Sequence, residues 1–341
     1  MSRDQLRYRT LSRVSLLVTV GVILWGGYVR ASGSGAGCGS HWPTCNGTIL
    51  PRSPTVATLV EFTHRVTSGL SALLVLAQLV WSRRSFPKGH PVRTPVVWAS
   101  VFMLGEVLIG AGIVLLKYVA QDQSAARAVW MACHLVNTFL LVGTLGLVVW
   151  RANGARHLQF KGRTLVWVLG VAAIIATLAT GATGAIAALG DTLFPAKGLA
   201  DALRQDLAPR AHWLVQLRVV HPFLAIGTAF LLLGARQAIE RTQTSRAVAY
   251  AGTQLRVSVV GQVALGFLNM LLLAPVWMQL AHLVAAQLVW LALVHFLSVS
   301  LEEESAGRSA TRGSEPVELQ VTEVGTLAIL GLDGSESQEG S

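Results

Sequence analysis

Eight long apolar runs constrain what this chain can fold into more than any other feature of its sequence. Each run has about the 20 residues that an α-helix needs to cross the hydrocarbon core of a bilayer. Charged residues make up only 13% of the chain, whereas a soluble domain carries about a quarter, so a soluble enzyme is excluded. We predict an all-α integral membrane protein with eight transmembrane helices, at 12–30, 58–81, 95–116, 128–150, 164–188, 212–235, 254–273 and 275–298.

The distribution of basic residues predicts the orientation of these spans. Lys and Arg are concentrated in the N-terminal stretch and in every second loop, as the positive-inside rule requires of cytoplasmic segments. The basic segments are 3–13, 83–93, 151–163 and 236–256. We therefore expect a multi-pass protein of the cell membrane with both termini in the cytoplasm and with 31–57, 117–127 and 189–211 outside. The net charge of +10 follows from this topology, and nucleic-acid binding is not expected because the basic residues are not interleaved with exposed aromatic ones.

The two halves of the chain resemble each other. The segment Gly105–Gly110 (GEVLIG) in the third span resembles Gly261–Gly266 (GQVALG) in the seventh. The tripeptide His-Leu-Val occurs in both the fourth and the eighth span. Because four crossings return the chain to the same side, the halves are predicted to be parallel repeats, each a four-helix bundle.

This repeat divides the chain into four segments. A basic N-terminus at 1–11 precedes the first bundle at 12–150, and the second bundle occupies 151–298. The acidic tail at 299–341 is rich in Ser, Gly and Glu, a composition typical of disordered segments.

Four of the nine histidines lie about two turns from the outer ends of predicted spans, where polar side chains are costly and are usually functional. They occupy the second, fourth, sixth and eighth spans: His64, His134, His221 and His282. All four helices run inward from the outside, so these imidazoles form one layer near the outer surface. His295, at the inner end of the eighth span, does not match their depth, and we expect it to be interfacial. The layer predicts two pairs of axial heme ligands, one pair in each bundle. Hydrogen bonding between helices is the alternative for each histidine taken singly.

A carboxylate accompanies the histidine pair of the first half alone. Glu61 precedes His64 by three residues and therefore shares its helix face, whereas the matching position before His221 is Arg218. This difference favours chemistry in the first bundle and electron transfer in the second. Glu61 is also close enough to the outer end to be partly hydrated, and it could instead pair with Arg65.

Three further charged residues are candidates for supporting roles. Arg65 and Arg218 have long side chains that could contact heme propionates or reach the lipid headgroups. Glu106 lies in the middle of the third span, where its repeat partner is Gln262. A carboxylate at that depth is often functional, and it could donate a hydrogen bond when protonated or relay protons.

Cys38 and Cys45 flank the Trp42-Pro43 step of the first outer loop. On an oxidising face this pair can close a small disulfide ring, or it can exchange with a redox partner. Cys133 lies beside His134 in an apolar run, and we expect it to be buried as a packing residue.

The combined motifs resemble those of the heme A synthase family across residues 12–298. The resemblance rests on the Gly-rich Cys38…Trp42-Pro43…Cys45-Asn-Gly47 loop, the Glu61-Phe-Thr-His64-Arg65 segment and the histidines of the later even-numbered spans. It implies an enzyme that converts a porphyrin methyl of heme O into the formyl of heme A by successive hydroxylations with water as the oxygen source, with a bound heme b for electron transfer. It also implies heme O synthase and a heme–copper oxidase as partners.

Carried over residue by residue, the resemblance implies a role for each site residue. His64 and His134 would bracket the substrate heme, His221 and His282 would ligate heme b, and Glu61 would be the essential acid. The loop at 189–211 departs from the pattern because it contains no cysteine. Two other functions compete with this one: a diheme b-type electron carrier without substrate chemistry, and a transporter whose histidines bind or relay ions.

Overall fold

The computed structural model of this chain describes residues 3–154 and 157–302. In these ranges the chain forms nine α-helices, which are connected by turns and loops. Eight helices are long and apolar enough to span a membrane, which confirms the predicted number. They are α1 (Arg3–Ala31), α2 (Val56–Ser85), α3 (Arg93–Leu115), α4 (Ala125–Ala152), α5 (Thr164–Leu193), α7 (Trp213–Thr242), α8 (Arg246–Leu271) and α9 (Val276–Ser300). A short 3₁₀ turn at Ser34–Ala36 and the helix α6 at Leu199–Leu207 lie in two of the connecting loops.

Hydroxyl side chains fix where several of the helices begin. Thr55 accepts a hydrogen bond from the amide of Thr58 at the start of α2, and Ser124 does the same for Arg127 at the start of α4. Such caps satisfy backbone amides that have no partner within the helix. The predicted link at Ala274 and Pro275 separates α8 from α9 as expected.

The helices of each half pack on one another, and the halves share an interface. In the first half α1 packs on α2 and α4, and α3 packs on α2 and α4; in the second half α5, α7, α8 and α9 form a similar set. The halves meet where α4 contacts α5 and α9 and where α1 contacts α9. In the most apolar 18-residue stretch of each span, 39% of the residues of α4 and 44% of those of α9 are buried, against 11% to 22% in the other spans. The helices α4 and α9 are therefore the central ones. These contacts are compatible with two repeated bundles.

Two expectations at the ends of the chain have different outcomes. The helix α1 begins at Arg3, so the basic N-terminus continues the first span as helix. The expected disorder of the tail concerns residues 303–341, which lie outside the described residues.

Candidate functional site

The four histidines lie at matching positions in the even-numbered spans. His64, His134, His221 and His282 each fall within about the first three turns of α2, α4, α7 and α9. These helices all begin at the end of the bundle that carries the Cys38–Cys45 loop, which we call the disulfide end. The imidazoles are half-buried, so each ring combines packing contacts with an accessible edge.

The two histidines of the second half face each other. The ring centroids of His221 and His282 are 6.5 Å apart and the ring planes are nearly perpendicular, at 89°. An imidazole nitrogen binds a transition metal at about 2 Å, so two rings on opposite sides of one metal ion have centroids roughly 6 Å apart. The spacing of this pair therefore fits a shared iron.

Hydroxyl and amide groups contact the rings of that pair. Thr183 Oγ1 is 3.2 Å from Nδ1 of His221, which leaves Nε2 as the ring nitrogen available to a metal. Gln262 Nε2 is 3.2 Å from Nε2 of His282. The Thr183 contact, on the nitrogen away from the metal, is of the kind that fixes the orientation of a ligating ring. The Gln262 contact lies on Nε2 of His282, so a metal at that nitrogen would replace it.

Three of the histidines pack against a glycine of the preceding span. A Cβ atom on Gly184 of α5 would lie 3.0 Å from Cε1 of His221, and one on Gly266 of α8 would lie 3.0 Å from Cε1 of His282. In the first half, a Cβ on Gly26 of α1 would lie 2.9 Å from Cε1 of His64. Each ring thus occupies space that a side chain larger than that of glycine would fill at these three positions.

The fourth histidine has a carboxylate beside it. Nδ1 of His134 is 3.0 Å from Oε2 of Glu106 on α3. The other oxygen of Glu106 accepts hydrogen bonds from Asn137 Nδ2 at 2.7 Å and from Thr138 Oγ1 at 3.1 Å. The structure therefore brings Glu106 into the first-half histidine site.

Glu61 is buried, not partly hydrated as we expected from its place near the helix end. Only 3% of the surface of Glu61 is exposed. Oε1 accepts a hydrogen bond from Nη2 of Arg65 at 2.5 Å, and Oε2 accepts one from the backbone amide of Cys38 at 2.8 Å. The expectation was wrong because the loop before α2 folds over this carboxylate and excludes water.

The same loop is held in place by Arg65. Its Nη1 atom donates to the backbone oxygens of His41 and Thr44, each at 2.6 Å. Cys38 and Cys45 form a disulfide, and both are almost fully buried. The expected ring therefore exists, and it is joined to the Glu61–Arg65 pair by hydrogen bonds.

Arg218, at the position that matches Glu61, is also paired with opposite charge. It donates to Asp191 Oδ1 at 3.1 Å and to Asp206 Oδ1 through Nε and Nη2. From the sequence, these two partners could be recognised only as acidic residues of the segment 189–211. The two halves thus place opposite charges at equivalent positions.

Two other expectations concern Cys133 and His295. Cys133 is exposed, so the expectation of a buried packing residue was wrong. His295 contacts Gln254 Oε1 at 3.2 Å and stacks edge-on against Trp150. It lies at the far end of α9 from His282, apart from the histidine layer.

Sequence reasoning missed several residues that shape the site. Glycines are frequent in membrane helices, so the contact role of Gly26, Gly184 and Gly266 carried no distinct signal. Asn137 and Thr138 could have been found as polar residues in an apolar run, one turn after His134.

The chemistry of the donor set fits a porphyrin iron better than a free metal ion. Among residues 3–154 and 157–302, no group of three or more His, Cys, Asp or Glu could hold a metal ion. A heme needs at most two axial ligands from the protein because the porphyrin supplies the rest. Paired imidazoles in a helical bundle meet that need.

Comparison with known proteins gives a consistent result. The family model described as COX15-CtaA, cytochrome oxidase assembly protein, matches residues 9–294. Two similar relatives are named heme A synthase: one from Staphylococcus carnosus is 27% identical over 76% of this chain and 84% of its own length, and one from Staphylococcus haemolyticus is 25% identical over 86% and 96%.

A further relative carries a different name. It is the protoheme IX farnesyltransferase of Thermus thermophilus, 44% identical over 293 residues, or 86% of this chain. The chain spans about half the length of that relative, since the match covers 48% of it. The rest of the relative lies outside the match.

Proposed function

Because the chain belongs to the COX15-CtaA family of cytochrome oxidase assembly proteins, we propose that it is a heme A synthase, an oxidoreductase that converts a porphyrin methyl of heme O into the formyl of heme A. The observation that carries this proposal is the asymmetry between two similar histidine sites. One site has two carboxylates, the buried Glu61 and the half-buried Glu106, and the other has Arg218 and Gln262 at the matching positions.

Each bundle has its own task in this proposal. The first bundle, at 12–150, binds heme O between His64 and His134, and the second, at 151–298, binds heme b between His221 and His282. The 6.5 Å spacing of the second pair supports the heme b assignment. Heme b supplies one-electron transfer when it is bound.

The reaction needs oxygen from water and removal of electrons. Two successive hydroxylations of the methyl carbon consume two water molecules and release four protons and four electrons. The resulting geminal diol loses one water molecule and leaves the formyl group. The four electrons require an external acceptor, and a heme held by His221 and His282 would supply the one-electron route towards it.

Glu61 is the catalytic carboxylate in this mechanism. Its two oxygens are fixed by Arg65 and by the amide of Cys38, so the charge is oriented before the substrate arrives. A fixed negative charge stabilises positive charge that develops as the porphyrin edge is oxidised. Preorganised groups of this kind contribute much of the rate enhancement in many enzymes.

Arg65 and Arg218 lie within one turn of His64 and His221, and we assign them to the heme propionates. Guanidinium groups bind carboxylates through paired N–H donors. Both arginines already bind carboxylates of the protein. A propionate would therefore join or replace those partners.

The protein is placed in the cell membrane with both termini in the cytoplasm. The basic segments support this orientation, and the disulfide at the opposite end of the bundle supports an oxidising outer side. A green fluorescent protein fused after the last residue should be fluorescent. A dark fusion with an intact membrane protein would contradict the orientation.

Heme O synthase and a heme–copper oxidase are the proposed partners. The Thermus thermophilus relative is named for farnesyl transfer and has a half that this chain does not match. The family description refers to cytochrome oxidase assembly. These names support one partner that supplies the substrate and one that receives the product.

The decisive experiment is expression in a host that makes heme O and lacks heme A. Extracted pigments should contain heme A with the intact chain, and they should retain heme O with Glu61→Ala while heme b remains bound. If the intact chain binds two hemes and yields no heme A, where a known synthase in the same host does, the diheme electron carrier is the better function. A folded protein that carries no heme would favour the transporter.

A further inference from the structure

A network of polar side chains surrounds His134 and joins α3 to α4. Glu106 Oε1 accepts hydrogen bonds from both Asn137 and Thr138. The other carboxylate oxygen, Oε2, lies 3.0 Å from Nδ1 of His134 as an ion-pair contact, and its angle falls outside hydrogen-bond geometry. The carboxylate thus has one orientation, and it faces the ring nitrogen that is not needed for a metal.

Close packing on α3 makes room for this network. A Cβ atom on Gly105 would lie 2.7 Å from Oδ1 of Asn137, so a larger residue there would displace the amide. Asn137 Nδ2 also donates to the backbone oxygen of Phe102 at 2.8 Å. The amide is therefore held by the backbone of α3 as well as by Glu106.

The second half has no charge at the corresponding place. Aligning His134 with His282 sets Ala285 and Ala286 opposite Asn137 and Thr138, and aligning Gly105–Gly110 with Gly261–Gly266 sets Gln262 opposite Glu106. Gln262 contacts Nε2 of His282 rather than Nδ1. Its Oε1 atom is buried and has no hydrogen-bond partner among the described residues. All three members of the first-half network are thus replaced by uncharged or apolar residues.

We propose that Glu106 is a positioning residue for His134, and that it makes the iron of the first-half heme more electron-rich than the iron of the second. This inference rests on the proposed function, because it assigns His134 to the iron of the substrate heme. A carboxylate beside Nδ1 favours the proton on that nitrogen, leaves Nε2 for the iron and makes the ligand more basic through its nearby charge. An amide or a hydroxyl gives a weaker effect because it carries no net charge.

The direction of electron flow follows from this difference. A more basic axial ligand stabilises the ferric state, so the reduction potential of the first-half heme is lower than it would be beside a neutral residue. A lowered potential in the first bundle would favour electron transfer towards a heme held by His221 and His282. Glu106 is the first-half residue that would supply this bias.

The test uses the full chain, purified in detergent and loaded with ferric heme b as the probe. The double substitution His221→Ala, His282→Ala removes the second-half ligands, so the remaining heme reports on the first half. Its midpoint potential is measured by spectroelectrochemical titration with and without Glu106→Gln. Near-infrared magnetic circular dichroism identifies the axial ligands.

We expect Glu106→Gln to bind heme with both imidazoles and to raise its midpoint potential. Glu106→Asp should restore part of the shift because it keeps the charge. The matched control Gln262→Glu, in the same background, should leave the first-half potential unchanged. If Glu106→Gln binds too little heme to titrate, the double variant Asn137→Ala, Thr138→Val should show a smaller shift of the same sign.

Equal potentials with and without the carboxylate would overturn this inference and leave the proposed function standing. Absence of heme from the first half of the parent variant would overturn both. A shift of the same size with Gln262→Glu would also overturn the inference, because the effect would then not depend on contact with His134.

Discussion

The backbone amide of Cys38 donates a hydrogen bond to Oε2 of Glu61, across 2.8 Å and 23 residues of chain. The disulfide loop and the proposed catalytic carboxylate are therefore one structural unit. The loop covers Glu61 and orients it, and Arg65 binds both the carboxylate and the loop backbone.

Opening the disulfide should lower both stability and turnover. A ring this short is expected to contribute about 2–3 kcal/mol by restricting the unfolded chain, so Cys45→Ser should lower the free energy of unfolding by that amount. Heme A formation should fall too, because the Cys38 amide no longer holds Glu61. Thermal unfolding in detergent and pigment analysis measure the two effects.

The matched control for this prediction is Cys133→Ser. Cys133 is exposed and forms no disulfide, so its replacement should change neither measurement. Normal heme A formation by Cys45→Ser would show that the loop is not needed to orient Glu61.

Arg65→Met should abolish heme A formation and spare heme b. The substitution keeps the apolar stem but removes the donors to Glu61, His41 and Thr44. Losing a hydrogen bond to a charged group costs about 1.5–3 kcal/mol, so the orientation of Glu61 should be lost. The ratio of heme A to heme O, with the heme b spectrum, provides the readout.

Arg52→Met serves as the comparison, because Arg52 lies on the exposed part of the same loop. It should leave the ratio of hemes unchanged. Loss of heme b in Arg65→Met would contradict the separation of the two sites.

The features that depend on local sequence could be predicted. Eight spans follow from hydrophobic length, and the histidine layer follows from helix rise and alternating direction. Glu106 could be singled out from the sequence because its repeat partner is the uncharged Gln262. Its contact with His134 could not be predicted, because this contact depends on how α3 and α4 are rotated against each other.

Features that depend on long-range packing could not be predicted. Glu61 is near a helix end, which suggested hydration, but the loop that precedes α2 folds back over it and buries it. Cys133 is in an apolar run, which suggested burial, but in a membrane an apolar residue is equally stable facing lipid. The short helix α6 has a helical period, with Leu199, Leu203 and Leu207 four residues apart, but a search for segments long enough to span a membrane passes over it.

Alanine at the glycines beside the histidines should weaken heme binding in the second half. A Cβ on Gly184 or Gly266 would lie 3.0 Å from a histidine Cε1. Overpacking costs about 1–3 kcal/mol, which corresponds to roughly a fivefold to hundredfold loss of affinity. Heme titration followed by absorbance measures the change.

Gly261→Ala is the control on the same helix as Gly266. A Cβ at Gly261 meets no atom within 4 Å, so heme affinity should be unaffected and helix propensity should improve slightly. Unchanged affinity in both Gly184→Ala and Gly266→Ala would contradict the packing of the rings described above.

Arg30→Leu should weaken the association between the two halves. Arg30, in the last turn of α1, donates from Nη1 to the backbone oxygen of Ala188 and to Thr192 Oγ1 on α5, and from Nη2 to Gln279 Oε1 on α9, each at 2.8 Å. Breaking a buried network of charged hydrogen bonds is expected to cost about 2–4 kcal/mol. The melting temperature in detergent should fall, and Arg52→Leu should not lower it.

The same variant distinguishes two ways in which Arg30 could act. If it holds the halves together, Arg30→Leu lowers the melting temperature while each half still binds heme, and Gln279→Ala causes a smaller fall because it removes one of the three partners. If the melting temperature is unchanged and heme b alone is lost, Arg30 acts on the second-half site through α9 and not on the interface. Measuring melting temperature and heme content on the same preparations separates these outcomes.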